Sequence, residues 1–293
     1  MNMTKIKKRV FLVGCPRSGT TLLQSVISSH PKIASFPESK FFKFLTNPGS
    51  KRHFFKLAKP AVREKVSDFL RAIDREDLLH QFPCKPCFIK TYSTAFVNIL
   101  DTLTLEQDKS IWLEKTPEHI QRINCIEENI RDAAFIHIVR DGKDVVSSLY
   151  EVSHKFPEFW GWPRTVDQCI QRWINDVEIT NYNVHKLNHL LVRYENLVAD
   201  PENVFERICS FLAIDFQASH LNNRGKSGDT IILDRESWKA SIHNPIEESK
   251  DKKINRLFND SQIEHITQKI SSLDINTAGR KLKTSNNTDC DFR

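Results

Sequence analysis

The residues most able to do chemistry stand in two short stretches. The first, Gly14-Cys-Pro-Arg-Ser-Gly19-Thr-Thr21, sets two glycines five positions apart. The apolar run Val10 to Val13 precedes it, and Leu22, Leu23, Val26 and Ile27 follow at helical spacing. Glycines in a strand-to-helix turn let backbone N–H groups wrap a phosphate at the positive end of the helix. The cradle would be formed by Pro16, Arg17, Ser18, Gly19, Thr20 and Thr21. A P-loop nucleoside triphosphatase carries a lysine directly after the second glycine. Here that position is Thr20, and the cation is Arg17. Cleaving a triphosphate calls for that lysine and a magnesium ion, whereas an anion of lower charge has less to offset. Arginine, hydroxyls and amides suffice for it, so no metal is expected.

The second stretch, Phe135-Ile-His-Ile-Val-Arg140-Asp-Gly-Lys-Asp-Val-Val-Ser-Ser148, again reads as strand, polar turn and helix. Arg140 can present its planar fork to a phosphate, and Ser148, one turn into the expected helix, can add a hydroxyl from the same side. The competing assignment pairs Arg140 with Asp141 or Asp144. We assign both aspartates to turn formation and helix capping.

Pro16 to Pro31, PRSGTTLLQSVISSHP, resembles the 5′-phosphosulfate loop of sulfotransferases that use 3′-phosphoadenosine-5′-phosphosulfate (PAPS), in particular the branch of bacterial and tyrosylprotein sulfotransferases. Arg140 and Ser148 match that family's 3′-phosphate signature, an arginine ending a strand and a serine eight residues later. Val192-Arg-Tyr194-Glu-Asn-Leu is similar to a strand-end segment whose tyrosine lies near the nucleotide. Glu236-Ser-Trp238-Lys239 is similar to a loop that closes over it. The resemblance implies transfer of a sulfuryl group from PAPS to a hydroxyl or amine, leaving adenosine 3′,5′-bisphosphate. It covers Val10 to about Lys239 by motif order. A P-loop small-molecule kinase and a non-catalytic nucleotide-binding protein are the alternatives.

In-line transfer needs a base for the acceptor's proton and cations for the leaving oxygen. The run Ile33 to Phe36, expected as the strand next to the one that carries the loop, would deliver Glu38 to the carboxyl edge of the sheet. Glu38 also matches the catalytic glutamate of the tyrosylprotein branch and is the expected general base, with Glu114 and His119 as competitors. Lys115, in Lys115-Thr-Pro117, fits the family's K-T-P pattern. It is expected to work with Arg17 on the transferred group.

These residues need a scaffold. Short apolar runs at 10–13, 33–36, 87–90, 111–113, 134–139 and 190–192 alternate with helical patterns near 20–30, 61–81, 94–107, 117–130, 143–154, 165–186, 201–213 and 260–272. Such alternation predicts an α/β fold: a P-loop-type parallel β-sheet flanked by helices on both faces. Pro117 and Pro201 mark first helical turns, with Asp200 as an N-cap. One domain is expected over 1–283, including a lid or wrap over 215–258, followed by a disordered tail at 284–293.

At 293 residues, 39% of them hydrophobic, the chain can bury a sizeable core. Its net charge of +6 is dispersed, which argues against nucleic acid and is compatible with an anionic ligand. No apolar run approaches the ~18 residues of a membrane span, and no secretory signal is read. Seven irregularly spaced cysteines fit free thiols. The pair Cys84 and Cys87 is weak evidence for zinc. The expectation is a cytoplasmic enzyme acting on a small-molecule, lipid or saccharide acceptor. Phe41-Phe42, Phe54-Phe55 and Phe156 to Trp162 could line an acceptor cleft or belong to the core, while acceptor identity and oligomeric state stay open.

Overall fold

The structure is a computed structural model, which describes residues 5–85, 88–224, 253–271 and 273. Five strands, β1 (Lys8–Gly14), β2 (Ile33–Ser35), β3 (Ile111–Lys115), β4 (Ala133–Val139) and β5 (His189–Arg193), form one sheet in the order β2-β3-β1-β4-β5. Every pairing is parallel. The helices are α1 (Thr20–Ser28), α2 (Phe41–Leu45), α3 (Lys51–Phe54), α4 (Val62–Arg71), α5 (Ile89–Leu105), α6 (Ile123–Asn129), α7 (Gly142–Lys155), α8 (Pro157–Trp160), α9 (Val166–Asn183), α10 (Tyr194–Ala199), α11 (Pro201–Leu212), α12 (Lys253–Leu257) and α13 (Asp260–Ser271).

The two-residue period of a strand explains why helices cover both faces. Phe11 and Val13 of β1 enter one apolar cluster with residues of α2, α4 and α5, whereas Val10 and Leu12 enter another with α1 and α11. A third cluster joins α7 and α9 to α12 and α13. The expected α/β fold is therefore the observed one. Pro117 opens a 3-10 turn, and Asp200 caps α11 by accepting from the Asn203 N–H. Among the described residues, no helix is long and apolar enough to cross a membrane.

Three local expectations fail. The run at 87–90 is not a strand: Phe88 makes an isolated antiparallel bridge to Leu57, and helix α5 begins at Ile89. The single helix expected over 61–81 ends at Arg71, and Glu76–Gln81 forms a separate 3-10 turn. Strand β2 does not adjoin β1, because β3 lies between them. Most of the expected lid, the tail, Trp238, Lys239 and Cys87 lie outside the described residues.

Buried histidines link β4 to β5. His137 Nε2 lies 2.8 Å from His189 Nδ1, and His189 Nε2 lies 3.1 Å from Glu127 Oε1. Burial, then the neighbouring His189 and Lys186, lowers the His137 pKa from 6.5 to about 3. The folded state thus resists a proton that the unfolded chain accepts, so stability present above pH 6.5 is lost as pH falls toward 3. Denaturant midpoints should decline on acidification through this window. The limiting slope from this one proton is about 1.4 kcal/mol per pH unit, and His137→Gln should be flatter between pH 5 and 6.5. Equal slopes in the two proteins would remove His137 from the account.

Candidate active site at the carboxyl edge of the sheet

The five parallel strands end at one edge, where the phosphate loop follows β1, Glu38 follows β2, Lys115 ends β3, Arg140 follows β4 and Tyr194 follows β5. The loop after β1 enters α1 through Gly19, which adopts φ 92°. A side chain at Gly19 would collide with the Tyr194 ring, and one at Gly14 with the Ile138 carbonyl oxygen. Arg17 is also left-handed, at φ 75°, the kind of backbone strain that gathers at ligand sites. No side chain caps α1, and its first turn carries no carboxylate. Its leading N–H groups and positive dipole end are therefore available to an anion. Ser18 Oγ is buried with no hydrogen-bond partner among the described residues. An uncapped helix and an orphaned hydroxyl in one loop fit an oxyanion such as phosphate or sulfate.

Beside this loop stand the groups from β4 and α7. Arg17 Nε donates to Ser148 Oγ at 3.1 Å, so Ser148, in the second turn of α7, bonds across the two loops to Arg17. Burial, then the nearby Arg140 charge, lowers the Arg17 pKa, with Glu151 and Glu38 acting the other way. The Arg140 guanidinium lies 4.1 Å from the Tyr194 ring centroid, a cation–π arrangement. Tyr194 thus packs on Gly19 and supports Arg140.

Asp141 caps α7 as expected, accepting from the Lys143 and Asp144 N–H groups. Asp144 does not cap. It accepts from Arg140 Nη2 at 2.8 Å, because four residues along a helix bring two side chains onto one face. The pairing of Arg140 with Asp144 is thus real, and it holds the guanidinium at the sheet edge.

Across the loop, Lys115 ends β3 with its side chain only 1% exposed. Its Nζ donates to Glu38 Oε1 at 2.6 Å and to Thr21 Oγ1 at 3.4 Å. One ammonium therefore connects the expected base to the phosphate loop. The competing bases are differently placed. Glu114 Oε1 accepts from Ser39 Oγ at 2.6 Å and Thr116 Oγ1 at 2.8 Å. Burial would raise its pKa, but His119 and these hydrogen bonds outweigh it and hold the carboxyl below its usual range. His119 is fully buried, and its Nε2 accepts from the Phe42 N–H at 3.1 Å. That bond leaves the ring proton on Nδ1, 2.8 Å from Glu114 Oε2 though off a hydrogen-bonding direction.

Sequence reading missed a second charged group here. Glu118 pairs with Lys43 at 2.8 Å. Burial opposes its ionisation, yet Lys43 and Arg172 together push its pKa down to about 2, against the opposing charge of Glu38. Glu118 could have been noticed as the third residue after Lys115. Nothing in spacing links either to Lys43 or Arg172. The aromatic segments divide: Phe41 and Phe42 are core, whereas Phe54, Phe55, Phe159 and Trp162 are exposed.

A parallel sheet whose central strand runs into an uncapped, glycine-bounded helix defines a P-loop-type α/β protein with an anion cradle at its carboxyl edge. The Sulfotransferase family model matches residues 9–218, and the chain belongs to that family. It is 23% identical over 218 residues to the protein-tyrosine sulfotransferase of Drosophila melanogaster, covering 73% of this chain and 40% of that one. To protein-tyrosine sulfotransferase A of Caenorhabditis elegans it is 24% identical over 228 residues, covering 76% and 54%. The chain thus spans about half the length of these curated relatives. The sulfotransferase domain from the curacin biosynthetic pathway shares the fold, with TM-score 0.60 at 19% identity over 91% of this chain and 98% of that one.

Proposed function

We propose that the protein transfers a sulfuryl group from PAPS to a hydroxyl or amine, with Glu38 as general base. The observation that carries this reading is the Lys115 ammonium lying between Glu38 and Thr21 of the phosphate loop. The loop from Pro16 to Thr21 holds the 5′-phosphosulfate through backbone N–H groups and the Ser18 and Thr hydroxyls. Arg140 and Ser148 take the 3′-phosphate, and Tyr194 supports the nucleotide side. Trp238 and Lys239 are proposed to close over the donor from outside the described residues.

Lys115 Nζ donates to Glu38 Oε1, and an ammonium partner favours the unprotonated carboxylate that a base requires. As the acceptor oxygen or nitrogen bonds to sulfur, its proton passes to Glu38, and the bond from sulfur to the bridging oxygen breaks. That oxygen leaves as part of the 5′-phosphate of adenosine 3′,5′-bisphosphate. Once Glu38 is neutral, the Lys115 charge is free to act on the leaving oxygen, with Arg17 on the transferred group. The same proton movement thereby supplies both the base and the cation.

Incubation with PAPS labelled at sulfur and a panel of hydroxylated and amino acceptors tests the proposal. Labelled product and stoichiometric bisphosphate are expected. Phosphoryl transfer from ATP with magnesium, and none from PAPS, would identify a kinase instead. The donor side has its own test: Arg140→Ala should weaken adenosine 3′,5′-bisphosphate by about 1.5–3 kcal/mol, the range for charged hydrogen bonds. AMP, which lacks the 3′-phosphate, should bind both proteins alike in calorimetry. An equal loss for both nucleotides would place Arg140 elsewhere.

A further inference from the structure

Residues 39–63 and 78–100 contain no aspartate or glutamate. The fold brings the two acid-free segments together, for Leu57 bridges to Phe88 and the Ile89 N–H donates to the Lys56 carbonyl at 2.8 Å. Three aromatic side chains project there. Phe54 is 80% exposed, Phe55 63% and Phe88 58%, and the Phe54 and Phe55 rings meet edge-to-face at 5.2 Å. Isolated exposed phenylalanines are ordinary, but a group of them marks a surface that is covered in use. Lys51, Arg52, Lys56 and Lys90 are exposed around them.

We propose that this face docks on an anionic lipid bilayer, with the phenylalanine rings at the acyl boundary and the cations among the headgroups. Charge complementarity chooses the occupant. A second copy of the chain would set cations against cations. An acidic polypeptide would answer the charges and leave the three rings without an apolar partner. A bilayer answers both. The face lies on the chain directly after α2, and none of its residues belongs to the proposed catalytic or donor machinery.

Co-sedimentation of the full chain with phosphatidylcholine vesicles, with and without phosphatidylserine, tests the inference. The protein should partition onto the anionic vesicles and dissociate as salt is raised. Phe54→Ser/Phe55→Ser/Phe88→Ser should cut partitioning about tenfold or more. Lys51→Glu/Lys56→Glu should cut it at least about fivefold per site, since each cation near such a surface contributes about 1 kcal/mol. Bisphosphate affinity equal to wild type confirms that the variants are folded. No preference for anionic vesicles, or a preference that both variants retain, overturns the proposal. So does capture by immobilised polyglutamate through these residues without any vesicle binding, which would make the face a site for acidic protein.

Discussion

Glu38→Gln should lower turnover by roughly 10²–10⁴ while leaving the affinity for adenosine 3′,5′-bisphosphate within about twofold of wild type. The amide keeps the shape of the side chain and an oxygen for Lys115, so the 2.6 Å contact at Oε1 has a neutral replacement. What disappears is the capacity to accept a proton. The lost activity should not return on raising the pH within the stable range, because neither competing base is placed to substitute. His119 is sealed by the Phe42 N–H, and Glu114 is occupied by Ser39 and Thr116. Steady-state rates with any productive acceptor, paired with calorimetry for the bisphosphate, measure both halves. Wild-type turnover in this variant would transfer the role of base to another residue.

Lys115→Met should be nearly as damaging to rate, by about 10²–10³, the scale for removing one preorganised charge from a transition state. It should also destabilise the fold, by up to about 3–5 kcal/mol, since Glu38, with its side chain only 11% exposed, loses the ammonium it pairs with at 2.6 Å. The two effects are separable. In Glu38→Gln/Lys115→Met the buried carboxylate that lost its ammonium is gone, so stability should return in part while the rate stays low. A double variant no more stable than Lys115→Met would mean that Lys115 contributes through packing rather than through its pairing with Glu38.

The contact between Glu38 and Lys115 shows where sequence reading reaches its limit. Both residues could be chosen individually, Glu38 from its place after a strand and Lys115 from its motif. Their meeting depends on the parallel register of β2 with β3, which sets Ser35 opposite Leu113. That pairing is between segments distant in the chain, and a three-residue edge strand carries no signal for its neighbour. The two loops after β1 and β4 were legible because strand, turn and helix are local there. Asp144 was partly legible: its four-residue spacing from Arg140 allows the ion pair, while its place near a helix start equally suits a cap. The run at Cys87 to Lys90 misled because a short apolar segment has no period long enough to separate a strand from the first turn of a helix. The stacking of Tyr194 between Gly19 and Arg140 is tertiary. The motif alone marks the tyrosine, and only the fold supplies its reason.

The central claim is a donor site built for a nucleotide bearing both a 5′-phosphosulfate and a 3′-phosphate. Calorimetric titration of the full chain with adenosine 3′,5′-bisphosphate and with AMP tests it without knowledge of the acceptor. The bisphosphate should bind at least about tenfold more tightly, as one charge-assisted contact from Arg140 requires, and Arg140→Ala should remove most of the difference. Equal affinities for the two nucleotides in the wild-type protein would contradict it.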